Sequence, residues 1–419
     1  MIKLPGVYGF VPEKVYLCRL VNLTAIILYY HILNKKSTKY RLMKFNVSSK
    51  TLYTFVSAVS KVINSKNALT ILNNFLFELS GDTLTVTASD LENTLVAHME
   101  VMDAEGEGRF CVDARRLVDL LKEMPDQGLE FNINDQNLSV ELTYATGNYS
   151  FIALNGSEYP SNEADAEASD ANFSFVCPTE QVLKGIDNTL FAVGNDDLRP
   201  QMMGILWDIK PDGIVFVSTD TRKLVRYRNN MSEPGQEGSF ILPVKPATVI
   251  KNVFAKEEAI KITVEPKSVT FESPSYRFNC RFIKGNFPDY NRVIPQNNPY
   301  VVTLDRQQFL TAIRRVAVFV DQGHGLVKFR INADKLTMKA TDNNFCTSAR
   351  EEVPCDFTGS DMVIGFSAPY LIEIINTIST ENVLLKLSDP SRPGVFVPAE
   401  QSADSDLLML LMPMTVSEF

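Results

Sequence analysis

One unit of sequence occurs three times along this chain, and such a repeat constrains the fold more strongly than any single motif does. In each copy, apolar residues at every second position predict a strand with one buried face. Each strand is followed by a pair of residues with aspartate second, namely Ser89-Asp90, Thr219-Asp220 and Thr341-Asp342. An earlier strand and a turn precede each of them, at residues 75–79, 205–209 and 327–331. Each copy is therefore predicted to contain a β-hairpin in the same place.

Two predicted helices recur in register with these hairpins. The first helix of each copy begins near Ser48, Thr179 or Asp305, residue types that are favoured at helix N-caps. The second helix follows a strand at residues 109–112, 239–242 or 362–366. Apolar residues three and four positions apart mark one face of each helix. The repeat thus predicts an α+β chain of three domains, each with two helices on antiparallel sheets, over residues 43–168, 169–298 and 299–419.

Residues 1–42 differ from the rest of the chain. They carry a net charge of +6, whereas the remaining residues carry −15. The apolar stretch at residues 15–33 is interrupted by Arg19, Asn22 and His31, so it falls short of the ~18 to 20 clean apolar residues of a membrane span. We therefore expect a leader that is not part of the fold, with the true start at Met43. The alternative hypothesis is an anchor that lies on a membrane surface.

Patterns typical of catalysis or metal binding are missing from the sequence. The six cysteines are scattered without a C-x-x-C pair, which favours free thiols in a reducing compartment. Only three histidines occur, and there is no phosphate-binding or nucleophile motif. Asp90, Asp220 and Asp342 could hold Mg²⁺ in a nuclease or nucleotidyl transferase. Because they recur once per copy, a structural role explains them better, and we expect no enzyme activity, no metal and no cofactor.

Positive charge is concentrated on the predicted helices. Their spans hold eleven Lys and Arg residues against seven acids, although the whole chain has a formal net charge of −9. This distribution fits helices that face nucleic-acid phosphates, a contact that is blind to base sequence and sensitive to salt. It also fits the ordinary tendency of Lys and Arg to occupy solvated helix faces. Charge alone leaves both interpretations open, while the acidic total argues against a protein that simply coats DNA.

Several short strings make the chain resemble a known family. The most specific is GNFPDYNRVIP at residues 285–295, which is close to the family pattern G-x-F-P-D-Y-x-x-V-x-P. Further strings lie at residues 69–72, 89–92, 364–366 and 412–414. Together with the repeat and the charge distribution, they make residues 43–419 resemble the bacterial beta sliding clamps, the beta subunits of DNA polymerase III.

The resemblance implies a ring and a function. Two chains would join head to tail as a homodimeric ring of six clamp domains, with duplex DNA passing through a hole lined by the helices. The chain would be a non-catalytic, cytoplasmic processivity factor without base specificity. The implied partners are double-stranded DNA, a second copy of the chain, the DNA polymerase III alpha subunit, the clamp loader, and repair and translesion polymerases that bind through short linear peptides. No membrane partner is implied. The alternative is a protein-interaction scaffold that does not encircle DNA.

The resemblance also implies site residues. A hydrophobic peptide-binding pocket between the second and third domains would be formed by Met202, Thr219, Leu224, Pro288, Arg292, Val293, Leu410, Leu411, Met412, Pro413 and Met414. The DNA-facing residues would be Lys66, Arg115, Arg199, Gln201 and Lys245. At the ring interface, Tyr149 of one chain would meet Val318 and Phe319 of the other, with Arg315 nearby. Without the resemblance, Tyr149 and Phe319 would be interpreted as ordinary core aromatics.

The sequence departs from the family pattern at two places beside this pocket. Thr221, Arg222 and Lys223 stand where the family commonly has Gly-His-Arg. Residues 415–419 continue beyond the usual end. We expect the pocket to be present, with a peptide preference that the resemblance does not specify.

Overall fold

The computed structural model describes residues 42–160, 173–230, 233–321, 323, 325–342, 344–416 and 419. The predicted leader, apart from Leu42, lies outside the described residues. Within them, the α-helices are α1 Ser49–Val59, α2 Ala114–Lys122, α3 Thr179–Thr189, α4 Val244–Val253, α5 Arg306–Ala317 and α6 Ala368–Thr377. Each copy of the repeat thus contributes two helices, as predicted.

The strands of the described residues are all paired in antiparallel sheets. The first domain contributes β1 Leu42–Ser48, β2 Asn74–Ser80, β3 Thr83–Ser89, β4 Asn93–Glu100, β5 Met102–Glu105, β6 Gly108–Asp113, β7 Gly128–Asn134, β8 Ser139–Tyr144, β9 Gly147–Ile152 and β10 Leu154–Asn155. The second contributes β11 Phe173–Pro178, β12 Gly204–Lys210, β13 Gly213–Thr219, β14 Lys223–Asn229, β15 Gly238–Pro243, β16 Ala259–Val264, β17 Ser268–Glu272 and β18 Tyr276–Arg281. The third contributes β19 Tyr300–Asp305, β20 Leu326–Ile331, β21 Lys335–Asp342, β22 Thr347–Pro354, β23 Asp356–Phe357, β24 Met362–Ser367, β25 Asn382–Leu387, β26 Gly394–Pro398 and β27 Ser405–Leu411.

Two of the four sheets continue from one domain into the next. One nine-stranded sheet has the order β10-β6-β2-β3-β4-β18-β17-β16-β11, and the other has the order β15-β12-β13-β14-β27-β26-β25-β19-β23. They cross between domains where β4 pairs with β18 and where β14 pairs with β27. A five-stranded sheet, β5-β1-β7-β8-β9, belongs to the first domain, and a four-stranded sheet, β22-β21-β20-β24, to the third. Backbone hydrogen bonds therefore join the three domains. The two sheets that stay within one domain have β9 and β22 among their edge strands.

The predicted helix starts agree with the cap geometry in two copies of the repeat. The Ser48 hydroxyl accepts a hydrogen bond from the backbone N–H of Thr51 at 3.3 Å. The Asp305 carboxylate accepts one from the N–H of Gln308 at 2.7 Å. In the second copy Thr179 is the first helical residue and Pro178 takes the cap position, without a side-chain hydrogen bond. Side-chain oxygens at N-caps satisfy amides that the first helical turn cannot pair.

Aromatic side chains fill the interior between helices and sheets. The Trp207 ring lies 4.6 Å from the centroid of Phe216, 5.3 Å from Phe240 and 5.8 Å from Phe271. The described buried apolar residues form one main cluster that runs through all three domains. Each fully buried side chain of this size contributes about 1.5 to 3 kcal/mol. The shared core therefore reinforces the backbone pairing between domains.

The turn after each repeated hairpin strand is held by its aspartate. Asp220 Oδ1 accepts the backbone N–H groups of Arg222 and Lys223 at 2.9 and 2.8 Å. This turn forces Thr221 into the left-handed region with φ 77°, as the equivalent turn forces Leu91. A left-handed conformation costs roughly 1 to 2 kcal/mol for a residue with a Cβ, but little for glycine. Because Thr221 has a Cβ, the chain carries backbone strain beside the predicted pocket.

We expect Thr221→Gly to raise the free energy of unfolding by about 0.5 to 1 kcal/mol, because relief of the strain exceeds the added flexibility of the unfolded chain. Urea denaturation of both proteins measures the difference. The matched control is Thr87→Gly in the extended strand β3, where the same exchange should lower stability. A loss of stability at both positions would contradict the strain argument.

Candidate functional site

An apolar cavity lies where the second and third domains meet. Its volume is about 170 Å³. Its walls are formed by Met202, Thr219, Thr221, Lys223, Leu224, Phe287, Pro288, Tyr290, Val293, Leu410 and Met412. Leu224 of β14 pairs directly with Leu410 of β27 across the domain junction. The pairing of strands from two domains within one sheet therefore builds the floor of this cavity.

The string at residues 285–295 forms the second wall. Asp289 caps a single 3-10 turn, Tyr290–Arg292, by accepting the N–H of Asn291 at 3.2 Å. The Tyr290 hydroxyl donates to Asp208 Oδ2 at 2.8 Å. Burial, together with the nearby Asp208 carboxylate, raises the pKa of Tyr290 to about 12. The ring thus stays neutral and fixed, and it presents an apolar face to the cavity.

The cavity walls suit an apolar ligand side chain. Met202 and Met412 contribute flexible thioethers, and Met412 is 40% exposed at the rim. The backbone N–H of Met412 donates to the Arg222 carbonyl at 2.8 Å, which extends the strand pairing to the rim. Methionine repacks at little cost, so such walls accept related side chains of different shape.

Seven of the eleven residues predicted for the pocket line this cavity, and four do not. Leu411 is fully buried and points into the main core, because alternation along β27 sends it to the opposite face from Leu410. Arg292 is exposed and pairs with Asp289 at 2.9 Å. Pro413 lies beyond the strand, and Met414 donates its N–H to the Gly365 carbonyl in the third domain. Sequence reasoning missed Thr221, Lys223, Phe287 and Tyr290 as lining residues, although the last two belong to the string at 285–295.

Lys223 connects the cavity to the third domain. Its side chain is 5% exposed, and its ammonium contacts the Glu373 carboxylate of α6 and lies 3.8 Å from Asp220 Oδ2. The ammonium also lies 4.6 Å from the centroid of the Tyr370 ring and 5.4 Å from that of Phe191. The positive charge is therefore fully engaged in joining two domains.

The first domain junction contains a similar bridge. The Lys245 ammonium of α4 donates to Asp90 Oδ2 and to Asn64 Oδ1, each at 2.6 Å, and also to the Val62 carbonyl. Lys245 was predicted to face DNA, and the structure gives its ammonium three oxygen partners in the first domain. Burial disfavours the charged form of Asp90, but hydrogen bonds from Lys245 and Asn93 outweigh it and hold the pKa of Asp90 below its ordinary value.

We expect Asp90→Asn to lower the free energy of unfolding by about 2 kcal/mol at neutral pH, because the Lys245 ammonium loses its charged acceptor. Since the pKa of Asp90 is depressed in the folded chain, this contribution is complete above about pH 5 and is lost as the pH falls below about 4. Urea denaturation across this pH range should show that the free energies of unfolding of the wild type and Asp90→Asn become equal in acid. The control is Asp82→Asn in an exposed turn, which should cost much less stability at neutral pH. A difference for Asp90→Asn that persists in acid would exclude the ionic explanation.

The other predicted DNA-facing residues lie on loops and one helix. Lys66, Arg199 and Gln201 occupy the segments after the first helices of domains one and two. Arg199 pairs with Asp196 at 2.9 Å, and Gln201 is half-buried. The side chain of Arg115 in α2 is 93% exposed, and Asp119 lies 3.8 Å away.

The four residues predicted for the ring interface are divided between the two ends of the domain series. Tyr149 lies on β9 and is 39% exposed. At the other end, Val318 and Phe319 follow α5 and are 78% and 40% exposed. Arg315 of α5 pairs with Glu351 of β22. The interpretation of Tyr149 and Phe319 as core aromatics is therefore wrong, because both side chains are exposed, Tyr149 on the edge strand β9 and Phe319 in the turn after α5.

The repeated aspartates and the cysteines take structural positions. In the part of the chain that the structure describes, no three His, Cys, Asp or Glu side chains lie close enough to hold a metal ion. Asp90, Asp220 and Asp342 each accept backbone N–H groups of their own turns, in separate domains. The five described cysteines are free thiols, and burial raises the pKa of Cys111 to about 12. No described helix has the length and apolar character needed to cross a membrane.

Comparison with known families matches all three domains in chain order. The descriptions of the DNA polymerase III beta subunit match residues 43–163 as the N-terminal domain, 177–289 as the central domain and 291–415 as the C-terminal domain. The chain belongs to the DNA polymerase III beta subunit family. It is 26% identical to the "Beta sliding clamp" of Pseudomonas putida KT2440 over 379 residues, which cover 89% of this chain and 100% of that relative. It is 27% identical to the "Beta sliding clamp" of Caulobacter vibrioides over 394 residues, with the same coverage.

Solved clamp structures share the fold of this beta subunit. A DnaN sliding clamp from Pseudomonas aeruginosa, bound to griselimycin, superposes with a TM-score of 0.83 at 24% identity and covers 89% of this chain and 100% of its own. The clamp from Bacillus subtilis gives a TM-score of 0.82 at 19% identity, with coverage of 89% and 99%. The predicted α+β fold of three clamp domains is confirmed.

Proposed function

We propose that the chain works as a DNA sliding clamp, which encircles duplex DNA and tethers the replicative polymerase, and that the holoenzyme rather than this chain performs the chemistry. Family membership supports the function. The single observation that carries the ring is the pair of unused sheet edges, β9 and β22, at opposite ends of three repeated domains.

The internal junctions indicate how these edges would pair. At both, the strand after the aspartate turn of one domain pairs with the third strand after the second helix of the next, β4 with β18 and β14 with β27. The corresponding free strands are β22 and, in a second copy, β9. Their union would join four and five strands into a third nine-stranded sheet. Asn93 pairs with Cys280 and Lys223 with Leu411, so the equivalent register places Thr347 opposite the partner's Phe151.

Exposed apolar side chains at both edges support this assembly. Ile152, the last residue of β9, is 78% exposed and Leu154 just after it is 45% exposed, while Phe345 just before β22 is 75% exposed. Apolar groups concentrated at unpaired edges are typical of interaction surfaces. The two edges differ, so two chains would close head to tail. Each chain would pair its β22 with β9 of the other chain.

The inner lining of the ring would be the helix layer. The helices carry a net positive charge in an acidic chain, so the electrostatic attraction for phosphates is directed to one surface. We propose that Lys66, Arg115, Arg199, Gln201 and Lys245 lie toward the DNA. Phosphate contacts that ignore base sequence keep the protein free to slide. A closed ring stays on DNA through topology, and tight contacts are not required.

We propose that the cavity between the second and third domains captures short linear peptides of the polymerase alpha subunit, the clamp loader, and repair and translesion polymerases. The anchoring groups would be apolar side chains that contact Leu224, Pro288 and Leu410. Peptides in extended form bury few polar groups in such a site, and anchor residues dominate their affinity. We place this protein in the cytoplasm, where replication takes place.

The decisive experiment is retention on nicked circular DNA after loading by the clamp loader, followed by a high-salt wash. We expect the protein to stay on circles and to run off once the DNA is linearised. Equal loss from both forms, after loading has been verified, would contradict encirclement and favour a scaffold that never surrounds DNA.

A further inference from the structure

A positive side chain meets the turn aspartate at both domain junctions within the chain. At the first junction, Lys245 of the following domain donates to Asp90 Oδ2 at 2.6 Å. At the second junction, the Lys223 ammonium lies 3.8 Å from Asp220 Oδ2 and contacts Glu373 of the following domain. The aspartate, the hairpin turn and the cation are thus a recurrent part of the way in which one domain joins the next.

The third domain presents the same aspartate at its free edge. Asp342 Oδ1 accepts the N–H of Asn344 at 2.8 Å, as Asp90 Oδ1 accepts the N–H of Asn93 at 2.7 Å. Only 6% of Asp342 is exposed, so its carboxylate is fixed in direction by the turn. Oδ2 is the oxygen that receives the cation in the two equivalent turns. A carboxylate held in this way is ready to accept a cation from the domain that follows.

The third turn lacks the cation that the second turn provides for itself. In the second turn Thr219 pairs with Leu224, and in the third Thr341 pairs with Ser348. Ser348 is therefore equivalent to Leu224. The residue before it, Thr347, occupies the position that Lys223 has in the second turn. Since no cation stands there, the cation must come from the next domain, as at the first junction.

The next domain in the ring is the first domain of the other chain. Arg115 is the second residue of α2, and Lys245 is the second residue of α4. The two helices follow equivalent strands, β6 and β15, so they occupy the same place in the repeat. Arg115 is 93% exposed in the single chain, and its one described ion-pair partner, Asp119, is 3.8 Å away. Its guanidinium is therefore available for a second contact.

We propose that Arg115 of each subunit forms an ion pair with the partner's Asp342, and that this pair locks the sheet edges of the ring. The inference rests on the proposed ring and names a contact within its interface.

A second acid, Asp321, is expected near the same place. It lies sixteen residues after the cap residue Asp305, as Asn64 lies sixteen residues after Ser48. Arg115 would thus meet two acids where Lys245 meets one acid and one amide. Arginine suits this place because its planar group binds carboxylates at two atoms.

The test is a double-mutant cycle on the dissociation constant of the full-length dimer. Arg115→Met keeps the side-chain stem, and Asp342→Asn keeps an oxygen that can accept from the turn amides. Sedimentation equilibrium at low salt should show that each single variant raises the dissociation constant about tenfold. The dissociation constant of the double variant should be no larger than that of the weaker-binding single variant, because both substitutions remove the same contact. Lys122→Met, an exposed site on the same helix, serves as the matched control and should leave dimer affinity unchanged.

The outcomes separate this pair from the ring itself. A wild-type chain that stays monomeric at all concentrations would contradict the proposed ring, and the ion pair with it. A wild-type dimer whose affinity is unchanged in Arg115→Met would overturn the ion pair while the ring stands. If Asp342→Asn does not fold, Arg115→Met decides alone, with Arg115→Lys expected to restore most of the affinity. High salt should reduce the difference between wild type and Arg115→Met, and an undiminished difference would contradict an ionic contact.

Discussion

Replacing Val318 and Phe319 together by aspartate is expected to leave the chain folded but monomeric. Both side chains are exposed in the single chain, at 78% and 40%, so its core loses nothing by the exchange. In the ring they would be buried against the partner's β9 edge and α2. Burying one unpaired charge there costs about 3 kcal/mol or more, so the dissociation constant should rise more than about 100-fold. Sedimentation measures the fraction of chains that are monomeric. Retention on circular DNA should be lost when the dimer is lost.

The control for this experiment is Val176→Asp. Val176 is 66% exposed on β11, which belongs to a different sheet from both β9 and β22. It should fold, dimerise and stay on circular DNA. A Val318 and Phe319 variant that remains dimeric would show that the ends of the chain meet through other surfaces. Thermal unfolding of all three proteins confirms that any loss of dimer does not reflect an unfolded third domain.

Met412→Asp is expected to abolish peptide binding while the ring stays intact. Met412 is 40% exposed at the rim, and its backbone hydrogen bond to Arg222 does not depend on the side chain. A carboxylate at this wall would be desolvated by an apolar peptide anchor, so the affinity should fall at least about 100-fold. Fluorescence anisotropy with a labelled peptide that carries leucine and phenylalanine anchors measures this loss.

The control for the pocket is Leu198→Asp. Leu198 is 91% exposed and is not among the residues that line the cavity. Its peptide affinity should match that of the wild type, since it adds the same charge outside the pocket. Equal binding by Met412→Asp and wild type would place the peptide site elsewhere. Sedimentation should show that Met412→Asp remains dimeric, whereas its loading onto circular DNA should fail, because the proposed binding site for the clamp loader is the same cavity.

The repeat predicted the domain series because its signals are local. Alternating apolar residues and capping types such as Ser48 and Asp305 determine strands and helix starts within a few residues. The pairing of β4 with β18 joins residues that are almost two hundred positions apart, and no local pattern encodes it. The same limit explains why the bridge between Lys245 and Asp90 could not be predicted from charge: each residue alone fits a solvated position.

The candidate pocket was partly predictable for a similar reason. Leu224, Pro288 and Leu410 were expected from the resemblance, and they line one cavity. Leu411 was expected with them, but strand alternation turns it into the core. Phe287 and Tyr290 lay within a string whose family pattern was visible, yet nothing in that pattern tells which side chains turn toward a groove. Lys223 is buried because Glu373 and Tyr370 come from another domain, and only the folded chain brings them together.

The two unlike sheet edges have a consequence for direction. A ring closed by joining β22 to the partner's β9 has a twofold axis along its hole, and this rotation carries each subunit onto the other without inverting it. Both peptide cavities must then open on the same side of the ring, whichever side that is. Such a clamp would have two different faces along the DNA axis. Two proteins bound to its two cavities at once would therefore lie on the same face of the ring.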